Sequence, residues 1–247
     1  MKNDDIVITS AFRTAIGSFN GSLSSKTAPE LGSTVIKKCI ENSELKKEEV
    51  DMVYMGQVLT AGAGQNPARQ ASILAGLPHE TTNTTVNQVC GSGLASVALA
   101  YNSIKCGDGK LVIAGGQESM SNSPHYMNIR KGIKMGDGKL KDSMIIDGLW
   151  DVYNQYHMGI TAENVAEKFQ IRREEQDSFA AASQRKAAEA IKEKKFVNEI
   201  VPVKIKFKKE EIEFDKDEYP KAESTVEKLA KLRPAFKKDG TVTAGNA

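Results

Sequence analysis

Few side chains in this 247-residue sequence are suited to nucleophilic or proton-transfer chemistry near neutral pH: three cysteines (Cys39, Cys90, Cys106) and three histidines (His79, His125, His157). Cys90 has the most telling surroundings. It stands in "TTVNQVCGSGLASVALAYNSI", residues 84–104, between a β-type run and a helix of small and apolar residues. Gly91 and Gly93 allow a tight turn and a close approach of neighbouring backbone. Leu94, Ala95, Val97, Ala98, Leu99 and Ala100 make the helix apolar on nearly every face, which predicts burial between layers. The amino end of such a helix offers N–H groups and the positive end of the dipole to the sulfur. Those conditions favour the thiolate, which is the nucleophile. A backbone N–H at the same spot can also receive the oxyanion when an acyl group transfers. Helix placement alone leaves two readings open, a nucleophile or a small buried hydrophobe, since free cysteines are commonly the latter.

The elements that must position Cys90 are legible as an alternation. "DIVITSAF" (5–12) reads as a strand, and "APELGSTVIKKCIENS" (28–43) as a helix with Leu31, Val35, Ile36 and Cys39 or Ile40 at helical spacing. "EVDMVYMGQVL" (49–59) is strand-like, and "NPARQASILAGL" (66–77) is a helix with Pro67 in its first turn. "TTVNQV" leads to Cys90, its helix runs to about Cys106, and "KLVIAGGQ" (110–117) reads as a buried strand. Strands alternating with helices predict an α/β layer, a mostly parallel mixed sheet with a central buried helix, over residues 1–117. After Gln117 comes a polar, turn-rich excursion, then the helices "TAENVAEKF" and "REEQDSFAAASQRKAAEAIKEKKF". The second opens with acidic residues and closes with lysines, which suits the dipole. "VPVKIKFKKEEIEFDKDEYP" alternates well enough for a hairpin. Residues 118–247 are therefore expected to form an irregular loop domain inserted on the first.

Composition narrows the function. The chain is 40% hydrophobic and 27% charged with a net charge of +2, which gives no reason to expect nucleic acid or an anionic membrane as partner. No apolar run approaches the roughly 20 residues that cross a bilayer. The start passes from a few polar residues into a strand-like run, the pattern of a chain without a signal peptide. Three scattered cysteines suit neither a disulfide framework nor a four-ligand zinc site, so no metal is expected and a cytoplasmic protein with reduced thiols is. Gly62-Ala63-Gly64 lacks a third glycine in place, because Pro67 stands there. The GDGK at residues 107–110 and again at 136–139 has neither the glycine spacing nor the Ser or Thr of a phosphate loop. Nucleotide hydrolysis and dinucleotide binding have no support.

"VNQVCGSGLASVALAYNSI" resembles, position by position, the active-site cysteine signature of the thiolases. "GGQESMSNSPH", "YHMGITAENVA", "QDSFAAASQRKA" and "LAKLRPAFKKDGTVTAGNA" resemble further thiolase blocks, in the family's order and over most of the chain. "QYHMG" is similar to the biosynthetic branch. The resemblance implies an acyltransferase in which Cys90 attacks acetyl-CoA and forms an acetyl-enzyme. A second acetyl-CoA then condenses to acetoacetyl-CoA, or free CoA reverses the reaction by thiolysis. CoA thioesters are substrates here, and no cofactor is implied.

The resemblance further implies that Leu149, His157 and Met158 line the pantetheine tunnel near a short acyl group, and that Ala235, Phe236 and Ala244 touch CoA. Lys221 stands where close relatives often carry arginine, keeping the charge but losing the planar fork. His125 reads as structural or near a subunit contact, and His79 as a loop residue. Two bases are needed, one for the thiol and one for the methyl proton. In thiolases they are a histidine and a second cysteine of a C-terminal half, beside an asparagine that organises an oxyanion-binding water. None of those motifs occurs in these residues, so the sequence reads as a truncated thiolase that is inactive alone. The alternatives are a non-catalytic acyl-CoA-binding subunit and a redox-sensing thiol. Relatives are dimers or tetramers in fatty-acid and ketone metabolism, with the excursion at residues 121–141 as the natural tetramer contact.

Overall fold

The alternating runs become β1 (Arg13–Thr14), α1 (Ala28–Ser43), β2 (Met52–Gly56), α2 (Pro67–Leu74), β3 (Thr82–Val86), α3 (Ser92–Cys106) and β4 (Val112–Gly116). After them come β5 (His125–Tyr126), β6 (Lys141–Asp142), β7 (Trp150–Asp151), β8 (Tyr156–His157), α4 (Met158–Phe169) and α5 (Arg173–Lys192). The chain ends with β9 (Ile200–Val201), β10 (Val203–Phe207), β11 (Glu210–Phe214) and α6 (Val226–Leu229). The computed structural model describes residues 5–43, 45–208 and 210–247. Two units interleave along the sequence: Met1–Gly148 with Glu199–Glu218, and Leu149–Asn198 with Tyr219–Ala247. The excursion that follows Gln117 lies within the first unit. Asn122 Nδ2 donates to the carbonyls of Ser24 and Lys26, and Ser119 Oγ donates to that of Lys26. No helix among the described residues is long and apolar enough to cross a membrane.

In the first unit β3, β2 and β4 form a parallel sheet in that order, with Gly56 level with both Val86 and Gly116. Local chemistry starts the helices beneath it. At α1, Thr27 N donates to the Glu30 carboxylate at 2.8 Å while the Glu30 amide reaches Thr27 Oγ1 at 3.4 Å, a reciprocal cap. At α2, Asn66 accepts from Arg69 N, and Pro67 occupies the first turn, where its missing N–H costs nothing. α2 buries one face on the sheet, and α1 packs chiefly on α2. Ile36, Val50, Val53, Met55, Ala68, Ala71 and Leu77 make the core, and each large aliphatic contributes about 1.5–3 kcal/mol relative to exposure.

Two expectations are corrected. Residues 5–12 form no ladder among the described residues, and only Arg13–Thr14 pair, parallel to β9. The free edge of β4 and residues 5–10 instead face each other across a cavity of about 890 Å³, whose walls also include α1 and α3 side chains such as Ile40, Val97 and Ile104. Val7 and Ile8 are exposed as a result.

The helix after Cys90 is not buried on all sides either. It turns Ser92, Ser96, Ala100 and Ser103 inward, and leaves Leu94 (78% exposed), Val97, Leu99 and Tyr101 open in this chain. The sheet selects the small face. A Cβ on Gly56 would lie 2.6 Å from the Ser92 carbonyl carbon and 2.7 Å from Gly93 N, so helix and strand backbones touch. The serines satisfy themselves there: Ser96 Oγ shares its proton between the carbonyls of Gly93 and Gly115, and Ser103 Oγ meets Tyr54 OH at 2.9 Å.

The hairpin appears as β10 against β11, with Val203 opposite Phe214. Val203, Ile205 and Phe214 pack with Ala15 and Leu23 into a second core. Arg13 ties this region together. Its Nη1 and Nη2 meet the Asp217 oxygens at 2.8 and 3.0 Å, and its Nε meets Glu199 at 2.6 Å.

Candidate active site

The three parallel strands end on one edge at Gly56, Val86 and Gly116, and Cys90 lies four residues beyond the last residue of β3. Open α/β sheets bind ligands beyond the carboxyl ends of their strands. The turn that carries the thiol is tight. Gly91 N donates to Gln88 O and Ser92 N to Val89 O, both at 3.1 Å, and Val89 N donates to Asn87 Oδ1 at 3.0 Å. Val89 is held at φ +50°, a conformation that β-branched residues seldom adopt. Ser92 Oγ, buried beneath, donates to Val89 O at 2.6 Å and accepts from Gln88 N at 2.9 Å.

The thiol itself is exposed, two residues ahead of the first helical residue. The amides of Gly91 and Ser92, the two that follow the thiol, donate within the turn. Access is open. Cys106 is also exposed, at the far end of the same helix. Cys39 is half-buried on α1, and burial pushes its thiol upward against hydrogen bonds with Ser10 and Phe12.

The same sheet edge carries polar groups that sequence reading missed. Gln117 Nε2 donates to Gln57 Oε1 at 2.9 Å, both side chains being buried. Glu118 accepts from Val58 N at 2.8 Å and Leu59 N at 3.1 Å. Burial raises the Glu118 carboxyl and those two amides only partly offset it. Their signal was the repeated Gly-Gln at residues 56–57 and 116–117, which places a glutamine at the end of each neighbouring strand.

The second unit gathers most of the remaining predicted residues. Leu149 ends a π-helical turn, Met144–Leu149, and leads into β7, whose Trp150 pairs with His157 on β8. His157 caps α4: its Nδ1 accepts from Gly159 N at 3.0 Å, which leaves Nε2 as the protonated nitrogen of the neutral ring. Phe236 stacks on that ring with centroids 5.1 Å apart and planes inclined by 18°. Gly159 makes this possible, since a Cβ there would fall 2.2 Å from Phe236 ring atoms. Met158, beside the stack, is exposed.

The segment bearing Ala235, Phe236 and Ala244 doubles back on itself, with Ala235 N donating to Val242 O and Pro234 paired with Thr243. Two carboxylates hold it. Glu163 on α4, 4% exposed, accepts from Thr241 N, Thr241 Oγ1 and Val242 N at 2.9–3.1 Å. Asp177 on α5, 1% exposed, accepts from Arg173 Nε and Asn246 Nδ2, each at 2.8 Å. Ala235 and Ala244 remain exposed. Lys221 is exposed and held through its backbone, its amide donating to Gln184 Oε1 at 2.7 Å. His125 faces Asp142 across the β5–β6 pair at 3.7 Å, and His79 lies exposed in a turn where its carbonyl accepts from Arg69.

Residues 6–247 match the thiolase N-terminal domain. The acetyl-CoA acetyltransferase of Pseudomonas aeruginosa is 58% identical over 245 residues, covering 98% of this chain and 62% of that protein. That of Chromobacterium violaceum is 59% identical over 245 residues, with the same coverage. The crystal structure of the Bacillus anthracis acetyl-CoA acetyltransferase is 40% identical and superposes with a TM-score of 0.94, covering 98% of this chain and 61% of that one. The chain thus spans about three fifths of the length of these relatives. With the α/β sheet, the cysteine turn and the match over nearly every residue, the chain belongs to the thiolase family.

Proposed function

We propose that, in the whole protein, Cys90 carries an acetyl group between coenzyme A thiols as an acetyl-CoA C-acetyltransferase. The observation that carries this reading is an exposed thiol on a constrained turn at the carboxyl edge of a parallel sheet. The Cys90 thiolate adds to the carbonyl of acetyl-CoA, the tetrahedral intermediate expels CoA thiolate, and an acetyl thioester remains on the enzyme. A second acetyl-CoA loses a methyl proton, its carbanion adds to that thioester, and the Cys90 thiolate departs as acetoacetyl-CoA forms. Thiolysis runs the same steps backward. Exchanging one thioester for another keeps the acyl group reactive, which is why sulfur suits the task better than oxygen.

In this reading Leu149, His157 and Met158 meet the acyl and pantetheine end of the substrate. Lys221, Ala235, Phe236 and Ala244 meet the rest of CoA. Support comes from the exposure of Met158, Ala235 and Ala244 and from the fixed ring of His157. We assign residues 1–117 to the family's N-terminal α/β domain and 118–247 to its loop domain, with a C-terminal half supplying the histidine, second cysteine and asparagine. The open apolar stripe of α3 gives that half a surface to cover. Substrates and products are acetyl-CoA, acetoacetyl-CoA and CoA, and the place of action is the cytoplasm, a reading supported by the three free thiols. Homo-oligomerisation as a dimer or tetramer is supported by the exposed Ile129, Ile133, Met135 and Leu140 of the excursion.

Thiolysis of acetoacetyl-CoA tests this. The whole protein is expected to turn over and to lose at least about 10³-fold with Cys90→Ser. The 247-residue chain alone is expected to show none. Turnover by that chain near the rate of the whole protein would refute the need for further bases, and a fully active Cys90→Ser would refute the nucleophile.

A further inference from the structure

We propose that Ser92 is a positioning residue for Cys90, a hydroxyl clasp that holds the thiol's turn in its strained form. The assignment rests on reading Cys90 as the acyl-accepting thiol. Val89, immediately before the thiol, sits at φ +50° although its branched Cβ disfavours that region. Such a conformation persists only where the surroundings enforce it. Ser92 is the side chain that spans it. The single hydroxyl proton goes to Val89 O at 2.6 Å, while a lone pair accepts Gln88 N at 2.9 Å, so one oxygen grips the backbone on both sides of the Val89 Cα. Ser92 is itself immobilised, being 4% exposed and pressed so closely on Gly56 that a Cβ there would come within 2.7 Å of its own Cβ. The rigid sheet therefore fixes Ser92, Ser92 fixes residues 88–89, and those fix the direction in which Cys90 leaves the chain. An alanine at 92 removes both bonds and lets Val89 relax toward negative φ, which swings the Cys90 Cα–Cβ bond.

The test compares a reaction that needs direction with one that does not, on the 247-residue chain at about pH 9, where a free thiol is mostly thiolate without a base. Acetyl transfer from acetyl-CoA to Cys90 is followed by peptide mass spectrometry, and alkylation of Cys90 by iodoacetamide is followed alongside. Ser92→Ala is expected to slow acetyl transfer by about tenfold or more while alkylation stays within about twofold, the thiol being exposed already. Ser92→Ala combined with Val89→Gly is expected to recover transfer to within about threefold of wild type, because glycine takes positive φ freely. Should Ser92→Ala fail to fold, the double variant carries the test alone, and a folded double variant still about tenfold slow overturns the proposal. Unchanged transfer in Ser92→Ala overturns it, as does an equal fall in transfer and alkylation, which would mark a change in exposure or ionisation. A wild-type chain that takes no acetyl at Cys90 overturns this proposal, while the parent reading stands or falls on thiolysis by the whole protein and its Cys90→Ser variant. An acetylated wild type with an unaffected Ser92→Ala overturns this proposal only.

Discussion

Replacing Glu163 with glutamine should loosen the segment that carries Ala235, Phe236 and Ala244 while leaving the cysteine turn intact. The carboxylate is 4% exposed and accepts from two backbone amides and a hydroxyl, Thr241 N, Val242 N and Thr241 Oγ1, all at 2.9–3.1 Å. Glutamine keeps one oxygen, so Val242 N can stay satisfied, but its NH₂ would face the donors of Thr241. Losing charge-assisted bonds at about 1.5–3 kcal/mol each, partly replaced by neutral ones, gives a net cost of about 2–3 kcal/mol. For a unit of about 80 residues that corresponds to a fall in Tm of about 10–20 °C. Trp150 is the single tryptophan and lies in the same unit, so its fluorescence reports the transition. The pH dependence has a definite sign. Burial alone would raise the Glu163 carboxyl, but the Thr241 and Val242 amides and the Thr241 hydroxyl outweigh it, so the folded value lies below the ordinary one. Its stabilisation is thus present above about pH 4.3, the unfolded glutamate value, and is lost as pH falls through the lower folded value. Wild type should lose this contribution on acidification, whereas Glu163→Gln should lack that step. A Trp150 transition shifted by less than about 2 °C, with an unchanged acid limb, would mean that the Glu163 carboxylate does not hold this segment.

Two further changes test other joints. Gly159→Ala places a methyl inside the Phe236 ring position and should cost about 1–3 kcal/mol in the Trp150-reported melt by driving the ring off His157. A variant as stable as wild type would mean the stack is not held by close packing. Asp217→Asn removes the charged partner of Arg13 across a fork of 2.8 and 3.0 Å. Because Arg13 is part-exposed and keeps Glu199, the expected loss in urea denaturation at pH 7 is about 2–3 kcal/mol. The Arg13 hydrogen bond holds the Asp217 carboxyl below its usual range, so this contribution is present above about pH 3.9 and disappears as pH falls through the folded value. Asp217→Asn should therefore lose less stability than wild type on acidification, and parallel acid limbs would contradict the assignment.

Periodicity located α1, α2, α3 and the parallel strands because each had a local cause: an apolar stripe, a capping residue, or a run of β-branched side chains. What it could not supply was the neighbour. The helix after Cys90 is apolar enough to suggest burial on every side, yet the sheet glycines admit only its serine face and leave Leu94 out. "DIVITSAF" has strand composition, but a strand requires an edge, and residues 5–10 face β4 across a cavity. Val89 hides its left-handed backbone entirely, since composition argues against it at a β-branched residue. The site showed the same limit. Cys90 stands out by its turn and the helix after it, and His157 and Phe236 through family blocks, whereas the carboxylates that hold the second unit, Glu163 and Asp177, read as ordinary charges on helix surfaces. Only the fold brings them against Thr241, Val242 and Asn246.

The most direct test of Cys90 as the acyl-carrying sulfur is the position of the acetyl group after brief exposure of the chain to acetyl-CoA at about pH 9, where unassisted thiols are already ionised. Peptide mass spectrometry should find acetyl on Cys90 well ahead of Cys106, which is also exposed, and absent from half-buried Cys39, with added CoA removing it. Equal labelling of Cys90 and Cys106, or sulfenic acid at Cys90 under peroxide with no acetyl adduct, would contradict the account.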